Sequence, residues 1–156
     1  MRSRALIAVW AGCALLSCSP AAPEFTPELR ADLQARAFAI ACEELNCTSG
    51  PVYSWDTVPE DVRAAIAEML EAEVTYLDSE GFVDLADGGS SYRDGGTAIA
   101  VYATRLLKDD VVGVDVYTGH GPFDVLGRTV LFQWNGTEWS EATPDEVGVT
   151  VTTAVS

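Results

Sequence analysis

The sequence predicts an α+β domain, with two N-terminal helices packed on one face of a curled antiparallel sheet of about four to five strands. Three observations carry that expectation. In the first half of the chain apolar residues recur at helical spacing, at Leu29, Leu33, Ala37, Ile40 and Ala41 and again at Val62, Ile66, Met69 and Leu70. From Val111 onward apolar and polar residues alternate, the period of a half-buried strand. Asn135-Gly136 then interrupts the alternation with the strongest short hairpin signal.

The first helix begins at Pro27. Thr26 suits an N-cap, Pro27 suits the first helical position, and Glu28 faces the positive end of the helix dipole. The helix ends near Leu45, before the Asn46-Cys47-Thr48-Ser49-Gly50-Pro51 breaker. Residues 51–56 read as a short strand or extended link. Residues 57–59 open the second helix, with Glu60 and Asp61 in its first turn. Residues 74–78 read as a strand, and residues 82–85 as a shorter one after a Ser79-Glu80-Gly81 turn. Residues 87–96, rich in Gly and Ser, form a loop.

Residues 97–107 stay apolar on both faces as far as Ala103, which suits an interior strand. In residues 111–118, Val112, Val114, Val116 and Thr118 share one face, and Val111, Gly113, Asp115 and Tyr117 the other. With a two-residue turn inside 108–110, Ile99, Val101 and Ala103 join the valine face. Residues 128–135 and 137–141 flank Asn135-Gly136. A two-residue turn there sets Trp134 opposite Thr137 and Phe132 opposite Trp139. Val147, Val149, Val151 and Val155 alternate with small and polar residues as a C-terminal strand. This order of elements is similar to that of cystatin-like and NTF2-like folds, a likeness of fold that carries no function.

The chain has 156 residues, enough for one domain with a real core, and 48% are hydrophobic. Charge is its unusual property: 24 acidic residues against 9 basic ones, for a formal net charge of -15. Such a surface repels phosphate backbones, which argues against a nucleic-acid partner, and it permits cationic ones.

Arg2 and Arg4 precede an uncharged stretch over residues 5–16. Twelve helical residues rise about 18 Å, short of a hydrocarbon core of about 30 Å. A positive segment followed by a short apolar one describes a secretory signal instead. Leu15-Leu16-Ser17-Cys18 at its end resembles the lipobox of bacterial lipoproteins: Leu, a tolerant position, a small residue and then Cys. In that family the Cys thiol receives a diacylglyceryl group, the chain is cut before the Cys, and the new amino group is often acylated too. The resemblance implies that residues 1–17 are a signal peptide and Cys18 is the lipid attachment site. Residues 18–26 are then the lipidated Cys with a short tether, and residues 27–156 a single domain. Trp10-Ala11-Gly12-Cys13 has a bulky residue where Leu is usual and would halve the apolar segment. Cutting before Cys18 removes two basic groups and no acidic one, which deepens the charge from -15 to -17. The membrane is then a partner through lipid on Cys18, and Ser19 resembles the residue found in lipoproteins sorted to an outer membrane.

Given that export, Cys42 and Cys47 are the two cysteines left, and an oxidising compartment favours a disulfide between them. The alternative is a redox or metal pair, against which stand the four-residue spacing and the lack of further Cys or clustered His.

His120 is the only histidine. It could serve as a general base oriented by Asp115 or Asp124, the basis of a small exported hydrolase. No Gly-x-Ser-x-Gly elbow accompanies it. Asp84, Asp87 and Asp94 surround a Gly-rich loop that could hold calcium, although the spacing is not that of an EF-hand. Asn46 and Asn135 match the glycosylation acceptor pattern, the second for reasons of turn chemistry. The expected role is that of a lipid-anchored, exported cell-envelope domain that binds a protein or small ligand without catalysis or cofactor.

Overall fold

The computed structural model describes residues 20–86, 89–121 and 124–155. Residues 1–17, Cys18 and Asp87 lie outside them. The α+β class is as expected, but the sheet is mixed rather than antiparallel and has seven strands among the described residues. In chain order the elements are α1 (Pro27–Glu44), β1 (Val52–Trp55), α2 (Glu60–Met69), β2 (Val74–Leu77), α3 (Ser79–Ala86), β3 (Thr97–Lys108), β4 (Val111–Gly121), β5 (Asp124–Trp134), β6 (Trp139–Ala142), α4 (Pro144–Val147) and β7 (Ala154–Val155). The strand order is β2-β1-β3-β4-β5-β6, with β7 paired to β5.

Thr26 caps α1, its Oγ1 accepting from the Leu29 N–H at 3.2 Å. Leu33, Ala37 and Phe38 on this helix are fully buried. So wide a buried arc follows from its position: α1 lies against β3 and β4 and also against α2. Val62 and Ile66 of α2 join this core, whereas Met69, expected in the same stripe, is 40% exposed at the helix end. Strand β1 pairs parallel with β2 and with the start of β3, and α2 is the crossover between β1 and β2. Strand β1 is covered on both faces, the usual condition of a parallel strand.

The expected strand at 82–85 is a helix. Asp78 initiates α3, its Oδ1 accepting from the Gly81 N–H at 2.8 Å. Phe82, Leu85 and Ala86 then turn inward at helical spacing, and Val83 is left 70% exposed. The expected C-terminal strand is also mostly absent. Thr143 starts α4, where the Glu146 carboxylate accepts from both the Thr143 N–H and its hydroxyl at 2.7 Å. Gly148 stops α4 in the left-handed conformation at φ 59, which glycine adopts without a Cβ clash.

The β3–β4 hairpin has the expected two-residue turn, Asp109-Asp110, but β3 carries two bulges. Each shifts register by one residue, so together they restore parity. Ile99 and Val101 therefore keep the valine face, opposite Thr118 and Val116. Ala103 does not: it is exposed, and Thr104 pairs with Val114. At Asn135-Gly136 the loop has four residues. Asn135 Oδ1 accepts from the N–H groups of Thr137 and Glu138, both at 3.0 Å. Trp134 therefore faces Trp139, and Phe132 faces Glu141. A shift of two leaves parity intact, so Val130, Phe132, Trp134 and Trp139 still share a face.

The segment read as a tether is docked from Pro20 onward. Trp134 Nε1 donates to the Pro20 carbonyl at 3.1 Å, and Ala22 and Phe25 pack on the core.

Candidate functional site

Alternation gives the sheet two unlike faces. The inner one, with Ile99, Val101, Val112, Val114, Val116, Val130 and Phe132, is sealed by the first two helices. Among the described residues the outer one is covered at its ends. At one end α3 brings Phe82 against Tyr53, Trp55 and Tyr92. At the other, Val147, Val149 and Val151 pack on Val111 and Leu131. Between these covers the outer face is open.

Two cavities occupy that opening. The first, about 160 Å³, is walled by Trp55, Phe82, Tyr92, Tyr102 and Tyr117 over a base of small residues, Ala98, Ala100 and Gly119. Five aromatic rings thus converge from β1, α3, the loop before β3, β3 and β4. The Trp55 and Phe82 centroids are 4.2 Å apart, those of Phe82 and Tyr92 6.1 Å, and those of Tyr102 and Tyr117 5.2 Å in an edge-on arrangement. Phe82 and Tyr92 are buried, whereas Tyr102 and Tyr117 are 48% and 40% exposed at the rim. Burial raises the Tyr92 hydroxyl above its ordinary pKa. Burial, and next the neighbouring Tyr117, do the same for Tyr102. Both remain neutral phenols at neutral pH.

The second cavity, about 310 Å³, shares Tyr117 and is polar. Arg105 Nη2 donates to Asp115 Oδ1 at 2.7 Å, and Thr129 Oγ1 donates to the same oxygen at 2.8 Å. Gly127 lets the Tyr117 ring lie flat over β5, since a Cβ there would stand 2.7 Å from a ring carbon.

The aromatic wall is held by a lock behind it. Tyr53 donates its hydroxyl to Asp94, whose other oxygen accepts from the Gly96 N–H at 3.1 Å. Burial, and then Asp94, push Tyr53 up to about 12. The Tyr53 hydrogen bond in turn holds Asp94 below the usual carboxylate range. Arg93 donates to the Asp84 carbonyl, tying the loop to α3.

His120 and the aspartates singled out from sequence are not brought together. His120 is exposed at the end of β4, with Nδ1 3.2 Å from Thr97 Oγ1. Asp115 is instead occupied by Arg105 and Thr129, and among the described residues no carboxylate hydrogen-bonds to the imidazole. Both oxygens of Asp94 are engaged by protein donors, and no cluster of three or more metal-ligating side chains occurs among the described residues.

Cys42 and Cys47 are brought together. Leu45 closes α1, and Asn46, in the left-handed region at φ 53, reverses the chain so that Cys47 returns beside the helix end. Both are buried free thiols, so the expected disulfide is not formed here. Burial raises the Cys47 thiol far above its ordinary range, and a hydrogen bond with Cys42 adds to this.

Sequence reasoning had placed Tyr117 on the outer face of its strand but gave Tyr102, Trp55, Phe82 and Tyr92 no shared role. Their convergence depends on the bulges of β3 and the helical state of α3. The chain matches no protein-family model, and no similar curated protein or solved structure is found.

Proposed function

We propose that this is an exported, lipid-anchored cell-envelope domain that binds a small ligand on the open outer face of its sheet and performs no reaction on it. The observation that carries the binding reading is the aromatic cavity, where two tyrosines, packed edge-on against each other and 48% and 40% exposed, stand over alanine and glycine. The largest core cluster lies on the other face, and neither tyrosine belongs to the two smaller clusters on this one. His120 is exposed and is not among the lining residues of either cavity, and among the described residues no carboxylate hydrogen-bonds to its ring, which disfavours the hydrolase reading. The engagement of Asp94 by Tyr53 and Gly96 disfavours calcium.

The anchoring reading rests on Leu15-Leu16-Ser17-Cys18, with lipid on Cys18. No helix among the described residues is long and apolar enough to cross a membrane. Pro20, held by Trp134, is two residues from Cys18 in sequence, so little chain separates the proposed anchor from the docked segment. Export also bears on Cys42 and Cys47: adjacent thiols there pass two electrons and two protons to an oxidant of the compartment and close a disulfide.

Two measurements on one protein test the parts separately. Cys18→Ala moves the chain from the membrane fraction to the soluble one; retention on membranes in high salt refutes the lipid anchor. A cocktail of small aromatic, cationic and anionic fragments, read by amide shifts, is expected to perturb residues 98–102 and 117–119. Shifts absent there, or confined to the inner face, refute the binding site.

A further inference from the structure

We propose that the aromatic cavity takes a small quaternary ammonium cation, of the kind carried by a trimethylammonium head group. The inference deepens the binding reading above and rests on it. A ring face carries negative potential, and several faces turned on one space attract a cation that sheds water easily. Here five rings from five segments surround a space of about 160 Å³. That is well below the volume of pockets for drug-sized ligands and suited to one compact group.

Among the described residues the lining contains neither lysine nor arginine. Nor do the described lining residues include a carboxylate, so a strongly hydrated ammonium or metal ion would lose its water there without a charged partner among them. A quaternary ammonium is weakly hydrated and presents methyl groups, which suit an apolar wall. The formal net charge of -15 adds a field that draws cations and repels anions. Tyr102 and Tyr117 at the rim leave the way in open, while the buried Phe82 and Tyr92 hold the inner wall.

The test uses the full chain in a detergent free of choline head groups. Calorimetric titration compares choline, tetramethylammonium and 3,3-dimethyl-1-butanol, the uncharged isostere of choline, against a potassium chloride control. Both cations are expected to saturate one site, and choline to bind about tenfold more tightly than the isostere. Tyr102→Leu and Tyr117→Leu, at exposed positions, are each expected to weaken choline binding several-fold with the melting temperature nearly kept. Equal affinity for choline and its isostere overturns the cation assignment and leaves the binding site standing. No binding of either cation, with fragments still shifting residues 98–102, also overturns this inference alone. No probe and no fragment binding at the outer face overturns both. Unchanged choline affinity in the two leucine variants places the cation elsewhere and overturns the assignment.

Discussion

The two faces of β4 divide the molecule. Val112, Val114 and Val116 point inward and are fully buried under α1. Gly113, Asp115 and Tyr117, interleaved with them, face the other way: Gly113 is buried beneath Thr129 and Leu107, and Asp115 and Tyr117 line a partly open groove. The inner residues are all of one kind because they meet a helix, where volume and apolarity decide the free energy. The outer ones are unlike one another, as they are when shape and polarity rather than burial are at stake. On the proposed reading one strand carries stability and recognition on alternate residues, and either face should be alterable without the other.

The sharpest way to break that division is a pair of truncations. Phe38→Ala, in the middle of α1, is expected to cost about 3–5 kcal/mol, enough to threaten folding of a domain this size. Tyr117→Ala is expected to cost less, about 1–2 kcal/mol, because its ring is 40% exposed at the rim and packs edge-on against Tyr102 rather than inside the core. Urea denaturation of both variants reads the contrast. Comparable losses at the two positions would show that the outer face is structural and remove the argument for a site there.

A second comparison concerns the redox state of the inner core. Cys42 and Cys47 close a loop of six residues, so a disulfide between them is expected to add about 2 kcal/mol by restricting the unfolded chain. Membrane-extracted protein should lose that stability on treatment with dithiothreitol. In the reduced form both thiols should resist alkylation, since burial and the raised Cys47 pKa suppress the thiolate. Two free thiols in freshly extracted native protein, with no change on reduction, would remove the disulfide from the account. Choline binding should be the same in either state, because the pair lies in the core under the inner face.

Much of the inner face was legible in advance, and most of the outer face was not. Periodicity placed Leu33, Ala37, Val62 and Ile66 in the core, and alternation placed the valines of β4. Parity survived where register did not, because two bulges in β3 and two extra loop residues after Trp134 each amount to an even shift. The misread elements share a cause. Phe82-Val83-Asp84-Leu85 is too short for its period to be read, and the deciding signal was the Asp78 cap with Glu80 in the first turn. Likewise Thr143-Pro144-Asp145-Glu146 is a capping box lying just before an apparent strand. The site was illegible because its five rings come from segments that only tertiary structure assembles. Cys42 and Cys47 could be paired on paper because six residues of local chain suffice.

The smallest expected effect lies in the lock behind the aromatic wall. Tyr53 is raised to about 12, so its contribution to stability is complete below pH ~10 and fades as the pH rises toward 12. Asp94 is lowered, so its contribution is complete above pH ~4 and fades as the pH falls below that. Between those limits the pair is intact and stability from it should be flat. Tyr53→Phe removes the alkaline loss and lets Asp94 return toward an ordinary carboxylate. The cost at neutral pH should be about 1 kcal/mol or less, since Asp94 is exposed and water screens the bond. Other buried tyrosines ionise late as well, so the difference between the two proteins, not the profile of either, isolates Tyr53. Carboxyl carbon shifts of Asp94 give the direct reading. An identical Asp94 midpoint in both proteins would mean that Tyr53 does not engage it in solution. The inner wall of the groove would then be held by ring packing alone, the kind of contact that seals the opposite face.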